Sequence, residues 1–152
     1  MAKIKEGDRA PDFALRAQDG RLVTLDSLVG KGSLVLYFYP KDRTPGCTAE
    51  AGAFKEAYGS FKERGAEVVG VSSDSVDSHK RFAAECDLPF EILSDEAGVL
   101  RKAFGVGSTA GLIPGRVTFV IDREGRVRHI FSSQFQASRH AREALEFLDR
   151  MK

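Results

Sequence analysis

Two cysteines, three histidines and a spread of arginines and carboxylates are the side chains of this 152-residue chain suited to covalent or acid–base chemistry. Cys47 has the most suggestive setting. It follows Thr44-Pro45-Gly46, just behind the apolar run SLVLYFY (33–39) and Pro40. Pro45 fixes entry into a first helical turn, and Gly46 lets the backbone come close. The unpaired N–H groups and positive dipole end of such a turn favour an ionised sulfur, and the thiolate is the nucleophilic form. Thr44, three residues before the sulfur, can donate its hydroxyl to it or to a ligand beside it. The competing reading is a cysteine that only fills the core. His79, His129 and His140 are scattered, with no spacing that suggests zinc or haem, and sequence places none of them beside Cys47 as a Cys-His hydrolase requires.

Positioning such a sulfur takes a strand and a helix. The run 33–39 is continuously apolar, the pattern of a strand covered on both faces, and Pro40 stops it. Cys47, Ala51, Phe54, Tyr58 and Phe61 recur at intervals of four and three, one face of a helix reaching about Arg64. EVVGVS (67–72) predicts a second buried strand. Ser75 predicts the N-cap of a helix carrying Val76, His79, Phe82, Ala83 and Cys86, closed by Asp87-Leu88-Pro89. A short strand near 90–93 and a helix with Val99, Leu100, Ala103 and Phe104 follow. VTFVID (117–122) and RVRHIF (126–131) flank Arg123-Glu124-Gly125 as a hairpin, and a last helix starts near Ser138. FALRAQDGRLVTL (13–25) predicts a short initial hairpin. The order is that of an α/β protein with a mixed sheet and helices on both faces. In such sheets function gathers beyond the carboxyl ends of the strands, which is where Cys47 falls.

Composition narrows the function classes. Residues 1–152 are expected to form one domain around one core. Lys and Arg total 23 against 22 acidic residues, and no basic stripe is interleaved with aromatics, so no nucleic-acid partner is expected. The longest apolar run is far too short for a bilayer, so no membrane is expected either. The opening MAKIKEGDRA lacks an apolar h-region, and two cysteines suit a reducing compartment; the expected localisation is cytoplasmic. GVGSTAG (105–111) is not GxGxxG, and Gly30-Lys31-Gly32-Ser33 lacks the rest of a P-loop, so neither predicts a nucleotide site.

The stretch YPKDRTPGCTAE, with Pro40, Thr44 and Cys47 in the spacing PxxxTxxC, resembles the active-site motif of peroxiredoxins. Its fuller form is similar to the bacterioferritin comigratory protein, or peroxiredoxin Q, subfamily. APDFAL (10–15), DSxxSHxxF (74–82), LPFxxLSD (88–95), GRVTFVID (115–122) and SSQF (132–135) extend the similarity over nearly the whole chain. The resemblance implies a thioredoxin-like fold, a monomer, no cofactor and no metal. It implies a thiol peroxidase whose Cys47 reduces hydrogen peroxide and organic hydroperoxides, becomes a sulfenic acid, and is recycled by thioredoxin, glutaredoxin or a small thiol. Thr44 takes the place of the first cysteine of a thioredoxin CxxC, which disfavours a dithiol reductase. A non-catalytic redox sensor or chaperone on the same fold stays open.

By the same resemblance Pro40 shields the pocket from water, Thr44 orients the peroxide, and Arg116 matches the arginine set against thiolate and peroxide. Arg116 opens an apolar strand, where a guanidinium is costly without a partner, although arginines are usually exposed. Glu50 either orients Arg116 or simply favours the helix dipole. One departure stands out. Many subfamily members carry a second cysteine five residues after the first, and here that position is Gly52. Cys86 is then the only internal candidate for the resolving thiol, about one turn beyond the place near Ala83 that some relatives use. The alternative is an inert Cys86 with an external thiol resolving the sulfenic acid. His79 is expected to serve helix packing or to be exposed.

Overall fold

The structure, a computed structural model, describes residues 4–109 and 113–151. The first three residues of the opening segment and the end of GVGSTAG lie outside that range. β1 (Ala14–Ala17) and β2 (Leu22–Thr24) form the initial hairpin, and α1 (Leu25–Val29) follows directly. Then come β3 (Ser33–Phe38), α2 (Pro45–Glu63), β4 (Ala66–Ser72), α3 (Val76–Cys86), β5 (Glu91–Ser94) and α4 (Val99–Ala103). A two-stranded ribbon, β6 (Ser108–Thr109) with β7 (Ile113–Pro114), precedes the hairpin β8 (Val117–Ile121) and β9 (Val127–Ser132), and α5 (Arg139–Arg150) ends the fold.

Seven strands make one mixed sheet in the order β2-β1-β5-β4-β3-β8-β9. β3, β4 and β5 run parallel, β8 runs antiparallel to β3, and β3 is an interior strand between β4 and β8. A strand with both faces covered must be apolar at every position, and β3 is buried along its length after Ser33. Leu34, Leu36 and Phe38 face a core with α1 residues Leu25 and Leu28, Leu100 of α4, and Phe104. Val35, Tyr37 and Tyr39 face the other core, where Phe54 and Phe61 of α2, Phe82 of α3 and Leu148 of α5 pack. Helices therefore cover both faces, as the sequence predicts. Gly70 of β4 makes room for Tyr37: a Cβ there would come within 2.9 Å of the tyrosine ring. That space lets Tyr37 lie flat on Phe54, with ring centroids 4.3 Å apart, which seats α2 on β3.

Two elements escaped the sequence reading. α1 is five residues long and capped by Thr24, whose hydroxyl accepts from Ser27 N while the Ser27 hydroxyl accepts from Thr24 N. The β6–β7 ribbon has two residues per strand. Neither is long enough to show a period.

Candidate active site

The helix phase of α2 does the first part of the assembly. Cys47, Glu50, Ala51, Phe54 and Phe61 are its buried residues, so the sulfur and the carboxylate, three apart, share the face turned to the sheet. Thr44 is the N-cap residue with extended backbone, Pro45 occupies the first turn, and Thr48 N returns to the Thr44 carbonyl at 2.8 Å. Cys47 is a free thiol, only 1% exposed.

The second part comes from β8. Its antiparallel register sets Phe38 opposite Val117, so Arg116, one residue earlier, stands beside the end of β3 from which the chain enters α2. Arg116 donates from Nη2 to Cys47 Sγ at 3.4 Å, from Nη1 to Glu50 Oε1, and from Nε to the Gln134 carbonyl at 3.2 Å. The three donors fix the guanidinium plane. Burial opposes its charge, yet Glu50 and Cys47 together hold the Arg116 pKa above its usual value. A guanidinium against the sulfur favours thiolate over thiol. Gly46 is part of the same geometry, because a Cβ at that position would lie 3.1 Å from Arg116 Nη2.

Glu50 has no exposed surface, and burial pushes its carboxyl up to about 8 although Arg116 works against the rise. Its Oε2 lies 3.6 Å from Nδ1 of His140 on α5. His140 is itself fully buried, with Nδ1 2.7 Å from the Thr118 hydroxyl and Nε2 2.8 Å from the Ser133 carbonyl. Burial pulls its pKa down to about 4; the Ser133 carbonyl opposes the shift and the nearby Arg116 and Arg139 charges add to it.

Of the residues singled out from sequence, the structure brings together Cys47, Arg116 and Glu50. Pro40 is half-buried in the turn between β3 and α2. The Thr44 hydroxyl differs from expectation: it donates to the Lys41 carbonyl at 3.0 Å rather than to Cys47 Sγ. Its remaining lone pair can still accept from a peroxide. Cys86 ends α3, half-buried at the edge of the core that holds Cys47, and its carbonyl accepts from Lys55 Nζ of α2 at 3.1 Å. Burial pushes the Cys86 thiol pKa up, and neighbouring Glu85 adds to the rise.

Three features were missed. Arg101 of α4 donates to the Tyr39 carbonyl at 2.9 Å and to the Gly115 carbonyl at 3.0 Å, tying together the two strand ends that carry the site. Asp95 holds its backbone in place through the N–H groups of Leu100 and Arg101. His79 is neither exposed nor merely packed: Nδ1 meets Asp42 Oδ2 at 2.7 Å and Nε2 meets the Leu93 carbonyl at 2.9 Å. Asp42 also accepts from the hydroxyls of Tyr39 and Ser78, and its N–H reaches Asp74 Oδ2. This network anchors the loop that leads into Cys47. Ligand atoms of Asp42, Asp74 and His79 lie within 4.8 Å of one another, but both Asp42 oxygens and Asp74 Oδ2 are already taken by donors, so the cluster is a brace rather than a metal centre. The signal was present, since YPKD and SH both lie in the quoted motifs, but nothing in the sequence shows that they touch. His140 gave no signal beyond its place on the inner face of α5.

Comparison with known proteins gives the family. Residues 6–130 match the AhpC/TSA family. The chain is 48% identical over 153 residues to the chloroplastic peroxiredoxin Q of Sedum lineare, an alignment spanning 100% of this chain and 82% of that protein. The crystal structure of peroxidoxin BcpB from Mycobacterium tuberculosis superposes with a TM-score of 0.91 at 38% identity, covering 98% of this chain and 99% of that one. A bacterioferritin comigratory protein of Xanthomonas campestris, described for its alkyl peroxide reduction activity, superposes with a TM-score of 0.87 at 32% identity over 99% of both chains. The fold is the thioredoxin-like fold of those neighbours. The chain belongs to the AhpC/TSA family, as a peroxiredoxin of the Q, or bacterioferritin comigratory protein, type.

Proposed function

We propose that Cys47 is the sulfur through which this peroxiredoxin acts as a thiol peroxidase, with Arg116 as its electrostatic partner. The observation that carries the reading is the Arg116 Nη2 to Cys47 Sγ contact of 3.4 Å, made by a guanidinium that Glu50 braces. The thiolate attacks one peroxide oxygen, an S–O bond forms as the O–O bond breaks, and the departing hydroxide or alkoxide takes a proton to leave as water or an alcohol. Charge grows on the departing oxygen, and a fixed cation beside it lowers that barrier. Pro40 keeps water from the pocket, and Thr44 accepts a hydrogen bond from the peroxide. Hydrogen peroxide and organic hydroperoxides are the proposed substrates.

A sulfur 1% exposed offers no path for a second sulfur to reach bonding distance. Resolution of the sulfenic acid therefore requires the first turns of α2 to open. We place Cys86 as the resolving thiol: attack on the sulfenic acid forms an S–S bond and releases water. Thioredoxin, glutaredoxin or a small thiol then reduces the disulfide. Intact mass after one equivalent of peroxide tests this step. Loss of two hydrogens is expected, and a dimedone-trapped sulfenate without that loss assigns resolution to an external thiol.

We propose a monomer working in the cytosol. No helix among the described residues is long and apolar enough to cross a membrane. The plant relatives are named for the chloroplast, and the same thiol chemistry suits either reducing compartment. Reductant-coupled peroxide turnover by wild type, Cys47→Ser and Cys86→Ser tests the whole reading. Turnover abolished in Cys47→Ser, with Cys86→Ser still oxidised by peroxide but impaired in recycling, supports it. A single stoichiometric oxidation of wild type without recycling supports a redox sensor instead.

A further inference from the structure

The buried acid–base set around Cys47 contains more titratable groups than the peroxide reaction uses. Glu50 Oε2 is inaccessible to solvent and, among the described residues, has no hydrogen-bond partner. It lies 3.6 Å from His140 Nδ1. The protonation of that imidazole can be read from its partners. The Ser133 carbonyl at 2.8 Å only accepts, so Nε2 carries a hydrogen. Nδ1 of the neutral ring is then a bare lone pair, and the Thr118 hydroxyl at 2.7 Å donates to it. An ionised Glu50 would therefore press a carboxylate oxygen against a ring lone pair in a site closed to water, with no donor to satisfy it.

Charge balance leads to the same result. Among the described residues, Arg116 is the one cation in contact with both Glu50 and Cys47. With Cys47 a thiolate and Glu50 a carboxylate, two anions would share one cation below the surface, and a net buried charge is costly. One proton on Glu50 makes the set neutral. Other groups facing the pair leave this balance in place. Tyr37 from β3 is a phenol that burial keeps protonated. Arg139 and Glu143, the charged groups of α5 next to His140, face each other at 3.6 Å and offset one another.

We propose that Glu50 is a protonated carboxylic acid in the reduced enzyme, its proton on Oε2, the oxygen that Arg116 does not hold, and that this proton leaves the whole charge of Arg116 to the Cys47 thiolate. The inference rests on the reading of Cys47 and Arg116 given above. Glu50 is on this view a positioning residue that works through Arg116, and the neutral His140 ring adds no positive charge beside it. Ionisation of Glu50 at higher pH turns it into a competitor for the guanidinium, so the rate of Cys47 with peroxide acquires an alkaline fall.

The test uses the wild-type protein, labelled with ¹³C and ¹⁵N, and follows the Glu50 side-chain carboxyl and the His140 ring nitrogens by NMR from acid to alkaline pH. The expected carboxyl titration is centred near 8 rather than near 4.5, with His140 a neutral Nε2–H ring at neutral pH. A carboxyl that titrates near 4.5, or an imidazolium at neutral pH, overturns the proposal. Glu50→Gln assigns the carboxyl signal and supplies the kinetic arm: the alkaline fall in the peroxide rate of wild type should be lost in the variant, and its survival there also overturns the proposal. Cys47→Ser keeps the two readings apart. Peroxidase activity retained in that variant removes the nucleophile assignment, whereas an inactive Cys47→Ser beside a Glu50 titrating near 4.5 removes only the proton on Glu50.

Discussion

A methyl group at position 46 would stand 3.1 Å from Arg116 Nη2, closer than most carbon contacts, so Gly46→Ala should displace the guanidinium by a few tenths of an ångström. Charge stabilisation depends on placement, and the expected result is a peroxide rate roughly tenfold lower in a protein that still folds. Arg116→Ala removes the charge altogether and should slow the same step by about 10²–10³-fold. Stopped-flow oxidation of Cys47 measures both, and a wild-type rate in either variant contradicts the role given to Arg116. At this scale the sequence was informative where function restricts residue type. Cys47 behind Pro-Gly, and Arg116 at the mouth of an apolar strand, could be found because their types are unusual for their positions. Arg101, His140 and the Asp42–His79 pair could not. Their roles come from contacts between residues 22 to 62 positions apart, which no local pattern encodes.

Helix α2 carries the nucleophile, and its stability sets how readily the sulfur can be presented to a thiol partner. Gly52 lies within it, and a Cβ there would meet nothing within 4 Å. Gly52→Ala should therefore stabilise the protein by about 1 kcal/mol, the ordinary helix-propensity difference, read from a urea titration. If opening of α2 limits resolution, the same variant should also slow reduction by an external thiol while leaving the peroxide step alone. Periodicity predicted α2, α3 and α5 well because each has an apolar face three or more turns long, as in Cys47, Ala51, Phe54 and Phe61. It failed for α1, which is held by the reciprocal Thr24–Ser27 cap, and for the β6–β7 ribbon, whose four residues carry no alternation to read.

For the whole molecule, two buried groups tie stability to pH in opposite senses. His140 is pulled from 6.5 down to about 4, so the native state binds fewer protons than the unfolded chain. Its contribution is present above pH 6.5 and is lost as pH falls through 4. Glu50 is raised from 4.5 to about 8, so the native state binds more protons. Its contribution is complete below pH 4.5 and drains away as pH rises through 8. From these two groups, the urea midpoint should climb as pH falls from 8 to 6.5, stay level to about 4.5, and drop below that. Glu50→Gln should flatten the upper part of the curve, and an unchanged slope there would show that Glu50 is ionised throughout. The sheet order that brings these groups together was partly legible: parallel strands joined by helices, then a hairpin whose first strand Arg116 opens, could be read from the chain. The docking of α5 over β8, which brings His140 to Glu50, depends on three-dimensional packing and was not.

The most direct test is to expose the reduced Cys86→Ser protein, which keeps no internal resolving thiol, to one equivalent of hydrogen peroxide in the presence of dimedone and map the adduct by peptide mass spectrometry, with Arg116 intact and with the added Arg116→Ala variant. The expected result is a single adduct on Cys47, formed about 10²–10³-fold more slowly in the variant. No adduct on Cys47, or equal rates in the two proteins, would contradict the assignment of Cys47 as the nucleophile and Arg116 as its partner.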